Sequence, residues 1–460
     1  MQQLVLLLDS VKVADACRQT VEKLKELQCV DGGWSWFKTM PTSYDLTLYI
    51  LKNISRLKEW GETKQDEALA FMIVDALRYI DAEYINRNKD NTNRLSYSDL
   101  LYLYVRSAHS DIPMSDNLLS LYRRHIAIVQ REWYKYNELE KAYIAIILYR
   151  SGYIQDAAEV INSLREYATT TAGEGMFWAN NRSTAYNHSS AIQVHCAIYE
   201  AFEQVSYNRV ELDAMRQWLL LQKQSQMWYN VPSTLDAISI LLTSGSNWLT
   251  TGLRSQLIWG DNPLPQMPQT EQILGYEKYS RLGSEIDTLD ATLTIENHNE
   301  QPSWGALYWQ YYDSISNVES QASDNISISR QYYVQREGQW LPVDSTTLCV
   351  GDEVLVYLHI YTARDMQFMV LNDNRPACFE PLQQLSKYGY SDGLWYYSVP
   401  SDAGNTFYFD YLPKGTHIVQ YKVYVDRVGT YQAGVADIQS YYAPQYASHT
   451  SGARIIVQER

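Results

Sequence analysis

The first half of the chain places apolar residues at helical steps. In VADACRQTVEKLKELQ, Val13, Cys17, Val21, Leu24 and Leu27 recur at intervals of four and three, which predicts one stripe on an amphipathic helix. TSYDLTLYILKNISRLKEWG offers Ser43 as N-cap, Asp45 in the first turn and Gly61 as the stop. KAYIAIILYRSGYIQDAAEVINSLREYA reads as two helices broken at Arg150-Ser151-Gly152, a connection short enough to make them antiparallel neighbours. STLDAISILLTSG repeats the grammar, with Ser233 as cap and Gly245 as stop.

Near residue 250 the period changes. GDNPLPQMPQTEQ (260–272) has three prolines and no helical stripe, which marks a linker or domain edge. In DEVLVYLHIY (352–361), Val354, Val356, Leu358 and Ile360 fall on one face of a strand. TFYFDYLPKGTHIVQYKVYV (406–425) predicts two strands around the turn Leu412-Pro413-Lys414-Gly415, and GTYQAGVADIQSYY continues the run. Short strands at regular spacing predict an antiparallel sandwich. DATLTIEN (290–297) and SWGALYWQYY (303–312) also read as strands, in a small β segment of their own.

Three aromatic-rich turns recur among the helices: DGGWSWF (31–37), GMFWANN (175–181) and QMWYN (226–230). Each precedes a Ser or Thr cap and a new helix. Antiparallel helix pairs with similar turns on one side predict a repeat architecture, which closes as an α/α toroid. The expected fold is therefore multidomain α plus β. An α/α toroid spans 1–250, a small β segment 251–318, and an antiparallel β-sandwich 319–460.

Composition changes this picture by exclusion. A 46% hydrophobic, 20% charged chain is globular, with material for a core. No run of about 20 apolar residues is available for a bilayer span, and the interrupted opening MQQLVLLLDSVKVADA is not read as a signal peptide. A net charge of -15 argues against a nucleic-acid partner, which would require a basic footprint. The five cysteines (Cys17, Cys29, Cys196, Cys349, Cys378) lack CxxC or His-paired spacing, so no zinc site is predicted; one disulfide stays possible. Tyr and Trp number 39 and 13 against 8 Phe, a skew that suits concave surfaces, interfaces and wet sheet faces.

Candidate chemistry is sparse. LQCVDGGWSWF is similar to the Q-x-x-D-G-x-W turn of terpenoid cyclases and prenyltransferases at Gln28, Asp31, Gly33 and Trp34. The role there is structural: glycine permits the tight turn, and Trp and Gln staple helix ends. No D-x-D-D cluster is present for cyclase chemistry. WANNRSTAYNHSS (178–190) gathers Asn180, Asn181, Arg182, Tyr186 and His188, groups a polysaccharide lyase uses to neutralise a uronate and move a proton. The plainer alternative is a polar loop capping the helix that begins near Ser189. No H-x-x-H, H-E-x-x-H, G-x-S-x-G, P-loop or dinucleotide-binding pattern occurs. In DNRPACFEP (373–381), Asp373 and Glu380 are read as turn and strand-edge residues.

The order of toroid then sandwich, with particular strings, resembles the C-terminal end of bacterial alpha-2-macroglobulin family proteins of the Bacteroidetes type. LKELQCVDGGWSWFKTMPTSYDLTLYIL, GMFWANNRSTAYNHSSAIQVHCAIYEAF and RQWLLLQKQSQMWYNVPSTLDAI look like the family's thioester-domain toroid. WGALYWQYYDSI is similar to the β segment that follows it, a CUB-like connector. GDEVLVYLHIYTARDMQFMVLNDNRPACFEP and FYFDYLPKGTHIVQYKVYVDRVGTYQAGVADIQSYYAP look like the terminal macroglobulin-type sandwich.

This resemblance implies a piece of a non-catalytic protease trap. In the family a protease cuts a bait region, the molecule rearranges, and in many members a thioester from a C-x-E-Q motif tethers the attacker. None of Cys17, Cys29 or Cys196 is followed by that motif, and the Glu-Gln pairs at 203–204 and 271–272 lack the cysteine. The bait region and any thioester are expected upstream, Met1 being read as the start of an excised, monomeric fragment. Target proteases are the implied partners, met through the full-length parent in the periplasm or cell envelope. No cofactor or metal is expected. Trp34, Trp36, Trp178, Asn180, Asn181, Arg182, Tyr186, His188 and Trp228 are candidate contacts at the toroid mouth. The competing readings are a lyase with its cleft near Trp178–His188, and a scaffold whose aromatic mouth holds a peptide or glycan.

Overall fold

In the computed structural model the described residues are 10–59, 67–89, 94–171, 173–179, 190–223, 228, 230–243, 255–264, 278–298, 307–323 and 325–459. The chain divides into two compact units, one of Met1–Leu221 with Tyr229–Ser303, the other of Gln222–Trp228 with Trp304–Arg460.

Helices dominate the first unit: α1 (Ser10–Leu27), α2 (Tyr44–Glu59), α3 (Glu67–Arg87), α4 (Tyr97–Ala108), α5 (Asp116–Glu132), α6 (Glu138–Arg150), α7 (Ile154–Glu166), α8 (Ala191–Val205), α9 (Arg209–Leu221) and α10 (Val231–Thr243). The even-numbered helices pack side by side in the order α2-α4-α6-α8-α10, and the odd-numbered ones lie outside them. Burial explains this division. α6 is buried from Ala142 through Leu148, on every face, as an inner helix must be. Outer α5 buries only Leu118, His125, Ile126 and Val129. Ion pairs from α2 to Asp236 on α10 close the ring.

Local signals set the inner helix starts. Ser96 with Asp99, Asn137 with Glu140 and Ser190 with Gln193 form reciprocal capping boxes on α4, α6 and α8. Ser43 caps α2 through the Leu46 amide at 3.3 Å. Gly152 ends α6 with φ +87, and the Tyr153 amide turns back to the Leu148 carbonyl. The expected antiparallel α6–α7 pair follows from that turn.

Several sequence expectations change here. Ser233 lies inside α10; the cap is Asn230, whose side chain accepts from the Ser233 amide at 2.9 Å. On α1 the expected stripe is half-buried only at Val21, Leu24 and Leu27, while Val13 and Cys17 are exposed. Only that C-terminal end is held by the turn that follows it. The turn's left-handed residue is Gly32, at φ +93, not Gly33. Gly61 and Gly245 lie outside the described residues. Two short sheets complete the unit: β1 (Thr169–Thr171) with β2 (Gly175–Phe177), and β3 (Gln256–Trp259) between β4 (Asn262–Pro263) and β5 (Leu293–Glu296). Residues 307–312, expected as a strand, are in none.

The second unit is built from β6 (Ile326–Arg336), β7 (Gln339–Pro342), β8 (Leu348–Cys349), β9 (Glu353–Thr362), β10 (Met366–Asn374), β11 (Phe379–Pro381), β12 (Lys387–Ser391), β13 (Leu394–Pro400), β14 (Gly404–Leu412), β15 (Gly415–Val425), β16 (Gly429–Ala433), β17 (Ala436–Ser440), β18 (Ala447–His449) and β19 (Ala453–Gln458). A six-stranded sheet β12-β13-β14-β10-β17-β18 and a five-stranded sheet β11-β15-β9-β6-β7 share one apolar core, beside a small sheet β16-β19-β8. Val354, Val356, Leu358 and Ile360 of β9 all point into that core. The Leu412–Gly415 turn makes no hairpin: β14 belongs to the six-stranded sheet and β15 to the five-stranded one. Its anchors are lateral, from Thr362 Oγ1 to the Pro413 carbonyl and from the Lys414 amide to Asp365. Such crossings between sheets hold a sandwich closed.

Candidate functional site

The inner faces of the helical ring carry charge where an apolar stripe would be expected. On α2, Leu48, Leu51, Lys52, Ser55 and Arg56 share one buried face. Lys52 and Arg56 are one turn apart and both meet Asp236 of α10, Lys52 at 3.4 Å. Arg56 also grips Glu200 of α8 as a fork, Nε at 3.1 Å and Nη2 at 2.7 Å. The Tyr104 hydroxyl of α4 donates to the other Glu200 oxygen, which Gln204 reaches at 3.4 Å. Arg150 of α6 lies over the Tyr104 ring at 4.7 Å and 4.0 Å from Glu200. Each of the five inner helices thus contributes to one polar lattice.

Its electrostatics oppose acid–base chemistry. Burial pushes the Glu200 carboxyl up, but Arg56, Arg150 and the Tyr104 hydroxyl outweigh that and hold it below its ordinary value. Burial acts likewise on Asp236, and Lys52 and Arg56 bring it down. Burial would discharge Arg56, yet Glu200 and Asp236 raise it well above the usual guanidinium. Tyr104 is pushed up by burial and by Glu200. The carboxylates stay ionised as acceptors and the phenol stays protonated as donor. This arrangement fixes helices and offers no poised proton carrier.

The buried histidines fit the same description. His109 lies 3.1 Å from Ser55, whose hydroxyl donates to the Leu51 carbonyl. His125 meets the Tyr84 hydroxyl, and His195 the Met215 carbonyl at 3.0 Å. Burial lowers all three to about 4. Neutral at pH 7 and enclosed, they serve packing. Burial also pushes the Cys196 thiol well up. Among the described residues no group of three His, Cys, Asp or Glu could hold a metal ion, and the five cysteines are unpaired.

The aromatic turns are staples. Trp34 is fully buried, and its indole Nε1 donates to the Leu24 carbonyl near the end of α1, at 2.9 Å. Trp178, 4% exposed, does the same to Leu164 near the end of α7, at 2.8 Å. Each indole thus satisfies a helix-terminal carbonyl. Each turn also presses a glycine against the next outer helix. A Cβ on Gly32 would lie 2.4 Å from the Asp75 carbonyl of α3, and one on Gly175 2.1 Å from the Ala214 carbonyl of α9. Gln28 ties the first turn to the Gly32 and Met72 carbonyls.

Of the other sequence candidates, Trp228 is 5% exposed, with the Lys223 ammonium 5.5 Å over its ring. Trp36 is 62% exposed. Asn180, Asn181, Arg182, Tyr186 and His188 lie outside the described residues. The ionic lattice is what sequence reading missed. Its signal was a charge inside an apolar helical run: Lys52 and Arg56 on α2, Glu200 in AIQVHCAIYEAF, Asp236 in STLDAISILL.

The sandwich is joined by a second buried ion pair. Arg330 of β6 meets Asp373 of β10 at 2.5 Å and also donates to the Asn374 and Gly434 carbonyls. Tyr421 of β15 donates to the other Asp373 oxygen at 2.7 Å. Asp373 is thus a core residue bridging the two sheets, not a turn or strand-edge residue. Residues 326–445, most of this sandwich, match the family model described as "Bacterial Alpha-2-macroglobulin MG10 domain". Over this segment the chain carries a bacterial alpha-2-macroglobulin MG10 domain.

The MG10 domain begins at Ile326, the first residue of β6. Among solved structures, the chain is similar to trypsin-activated alpha-2-macroglobulin from Escherichia coli at 15% identity and TM-score 0.40, over 95% of this chain and 29% of that one. Native Escherichia coli alpha-2-macroglobulin from domain MG7 to the C-terminus matches at 16% identity and TM-score 0.36, over 95% and 67%. Salmonella alpha-2-macroglobulin reacted with methylamine matches at 16% and 0.35, over 95% and 27%. The likeness is distant, and the assignment rests on the MG10 segment. The chain spans less than a third of the first structure's length. Comparison with curated proteins finds no match.

Proposed function

We propose that this chain is the C-terminal part of a bacterial alpha-2-macroglobulin-like protease inhibitor, working mechanically and without a thioester of its own. The observation that carries the reading is the MG10 domain at 326–445. Two further features support it. Among the described residues the ring interior is tied by a lattice of paired charges that holds both of its carboxylates ionised. The C-x-E-Q motif is missing from all 460 residues. The parent acts in the periplasm or cell envelope, with target proteases as its partners. Trp36, exposed on the first aromatic turn, is a contact residue for the rest of that assembly. Among the described residues no helix is long and apolar enough to cross a membrane.

The test uses the parent protein encoded by the gene, mixed with trypsin and with elastase. The expected result is slowed digestion of a large protein substrate while a small chromogenic peptide is still cleaved. If this chain supplies no tether, any covalent adduct on a denaturing gel maps outside residues 1–460. Unhindered digestion of the large substrate after bait cleavage would remove the inhibitor reading.

A further inference from the structure

We propose that the helical unit carries a carboxylate-binding site at the N-terminal ends of α2 and α4, a site independent of the inhibitor reading. A cavity of about 230 Å³ opens there, lined by Tyr44, Arg87, Asn88, Arg94, Ser96, Ser98 and Asp99. Tyr44 is only 4% exposed, and its hydroxyl has no hydrogen-bond partner among the described residues. Buried polar groups are ordinarily satisfied, so this phenol marks a place where a ligand acceptor belongs.

The rest of the wall defines that acceptor. Among the described residues Asp99 is the only carboxylate on it, and it already accepts from the Ser96 amide at 2.9 Å, the Ser96 hydroxyl at 2.6 Å and Asn88 at 3.1 Å. The Ser98 hydroxyl donates to Asp45 at 2.8 Å. Donors remain. The Arg87 guanidinium lies 4.2 Å over the Tyr44 ring, with Glu83 3.6 Å from its Nε, and the Arg94 guanidinium lies 5.4 Å over the Tyr136 ring. Desolvation and the charge of Asp99 raise the Tyr44 phenol, so it enters as a protonated donor. One phenol and two guanidinium forks above two helix N-termini call for a planar anion with paired acceptor oxygens. A cavity of this size admits a small acid or one peptide end, and both present the same carboxylate.

Titration calorimetry on the full chain, with succinate, succinamide and trialanine bearing a free or amidated C-terminus, tests the site. The free carboxylates are expected to bind and the amides not. Tyr44→Phe and Arg94→Gln should each weaken binding about tenfold, the loss of one charge-assisted hydrogen bond. Tighter binding of trialanine than succinate assigns a peptide end, and the reverse order a free acid. Without ligand, Tyr44→Phe should melt no lower than the parent chain, because the hydroxyl it removes has no partner. Equal binding of the amides, indifference to both substitutions, or a lowered melting temperature in Tyr44→Phe would overturn the proposal.

Discussion

Arg56 and Asp236 stand 180 positions apart, and their side chains meet in the ring interior, fastening the first inner helix to the last. A ring of helix pairs gains uniformity of packing from each neighbour but gains closure only where its ends meet. Here that closure is ionic and buried, so removing one partner strands the other charge in a dry interior. Asp236→Ala is expected to destabilise the helical unit by about 3–5 kcal/mol. A combined apolar replacement of Lys52, Arg56, Glu200 and Asp236 should cost less, because only Arg150 then loses a counter-charge, 4.0 Å away, and it keeps its bonds to Gln204 and the Tyr104 carbonyl. Urea titration followed by helical circular dichroism separates the two cases. Equal losses for the single and combined variants would mean that the lattice is not what closes the ring.

Acid should loosen the same unit in two stages. His109, His125 and His195 are buried with values lowered to about 4, against 6.5 in the unfolded chain. The unfolded state then binds more protons between pH 6.5 and about 4, so stability falls as pH drops through that window. Glu200 and Asp236 are lowered beneath 4.5 and 3.8. Their stabilisation is present above those values and lost as pH falls further, through their lowered folded-state values. Melting temperatures of the helical signal between pH 8 and 3 should stay level down to about 6.5 and then decline. A curve flat to pH 4 would show that the histidines are not enclosed as described.

Much of this was legible from residue order alone, for a physical reason. Helix starts follow from local chemistry, as at Ser43, and strand faces from the period-two alternation at Val354 to Ile360. Non-local choices were not legible. Nothing in Leu412-Pro413-Lys414-Gly415 says whether the flanking strands pair or part, and they part into different sheets. Aromatic stretches such as 307–312 satisfy a strand pattern yet lie in no strand among the described residues. The ionic lattice was illegible because Lys52 and Glu200 declare their partners only once the ring exists.

The tryptophan turns allow a contrast within one motif. Trp34 and Trp178 are buried and donate to helix-terminal carbonyls, whereas Trp36 is largely exposed. Trp178→Ala should cost about 3–5 kcal/mol through the vacated volume, with the lost indole bond adding to it. Trp36→Ala should change stability by no more than about 0.5 kcal/mol. Any effect of Trp36→Ala on protease inhibition by the parent then reports a contact. A large loss of stability in Trp36→Ala would place that ring in the fold instead.

The sandwich makes a parallel prediction whose outcome is readable apart from the ring. Arg330 reaches from one sheet to Asp373 on the other, and Tyr421 donates to the second carboxylate oxygen. All three side chains meet between the sheets, where the alternative to pairing is an uncompensated charge. Asp373→Ala leaves the guanidinium without its counter-ion and should cost about 3–5 kcal/mol. Tyr421→Phe removes one hydrogen bond to a charged acceptor and should cost about 1.5–3 kcal/mol. The double variant Arg330→Met with Asp373→Leu should recover most of the first loss, since two apolar side chains replace two desolvated ions. Denaturant curves should show these losses, and amide exchange along β6 and β10 would assign them to the sandwich while the inner helices stay unchanged. If the double variant were as unstable as Asp373→Ala, the pair would have to be contributing attraction well beyond its own desolvation cost.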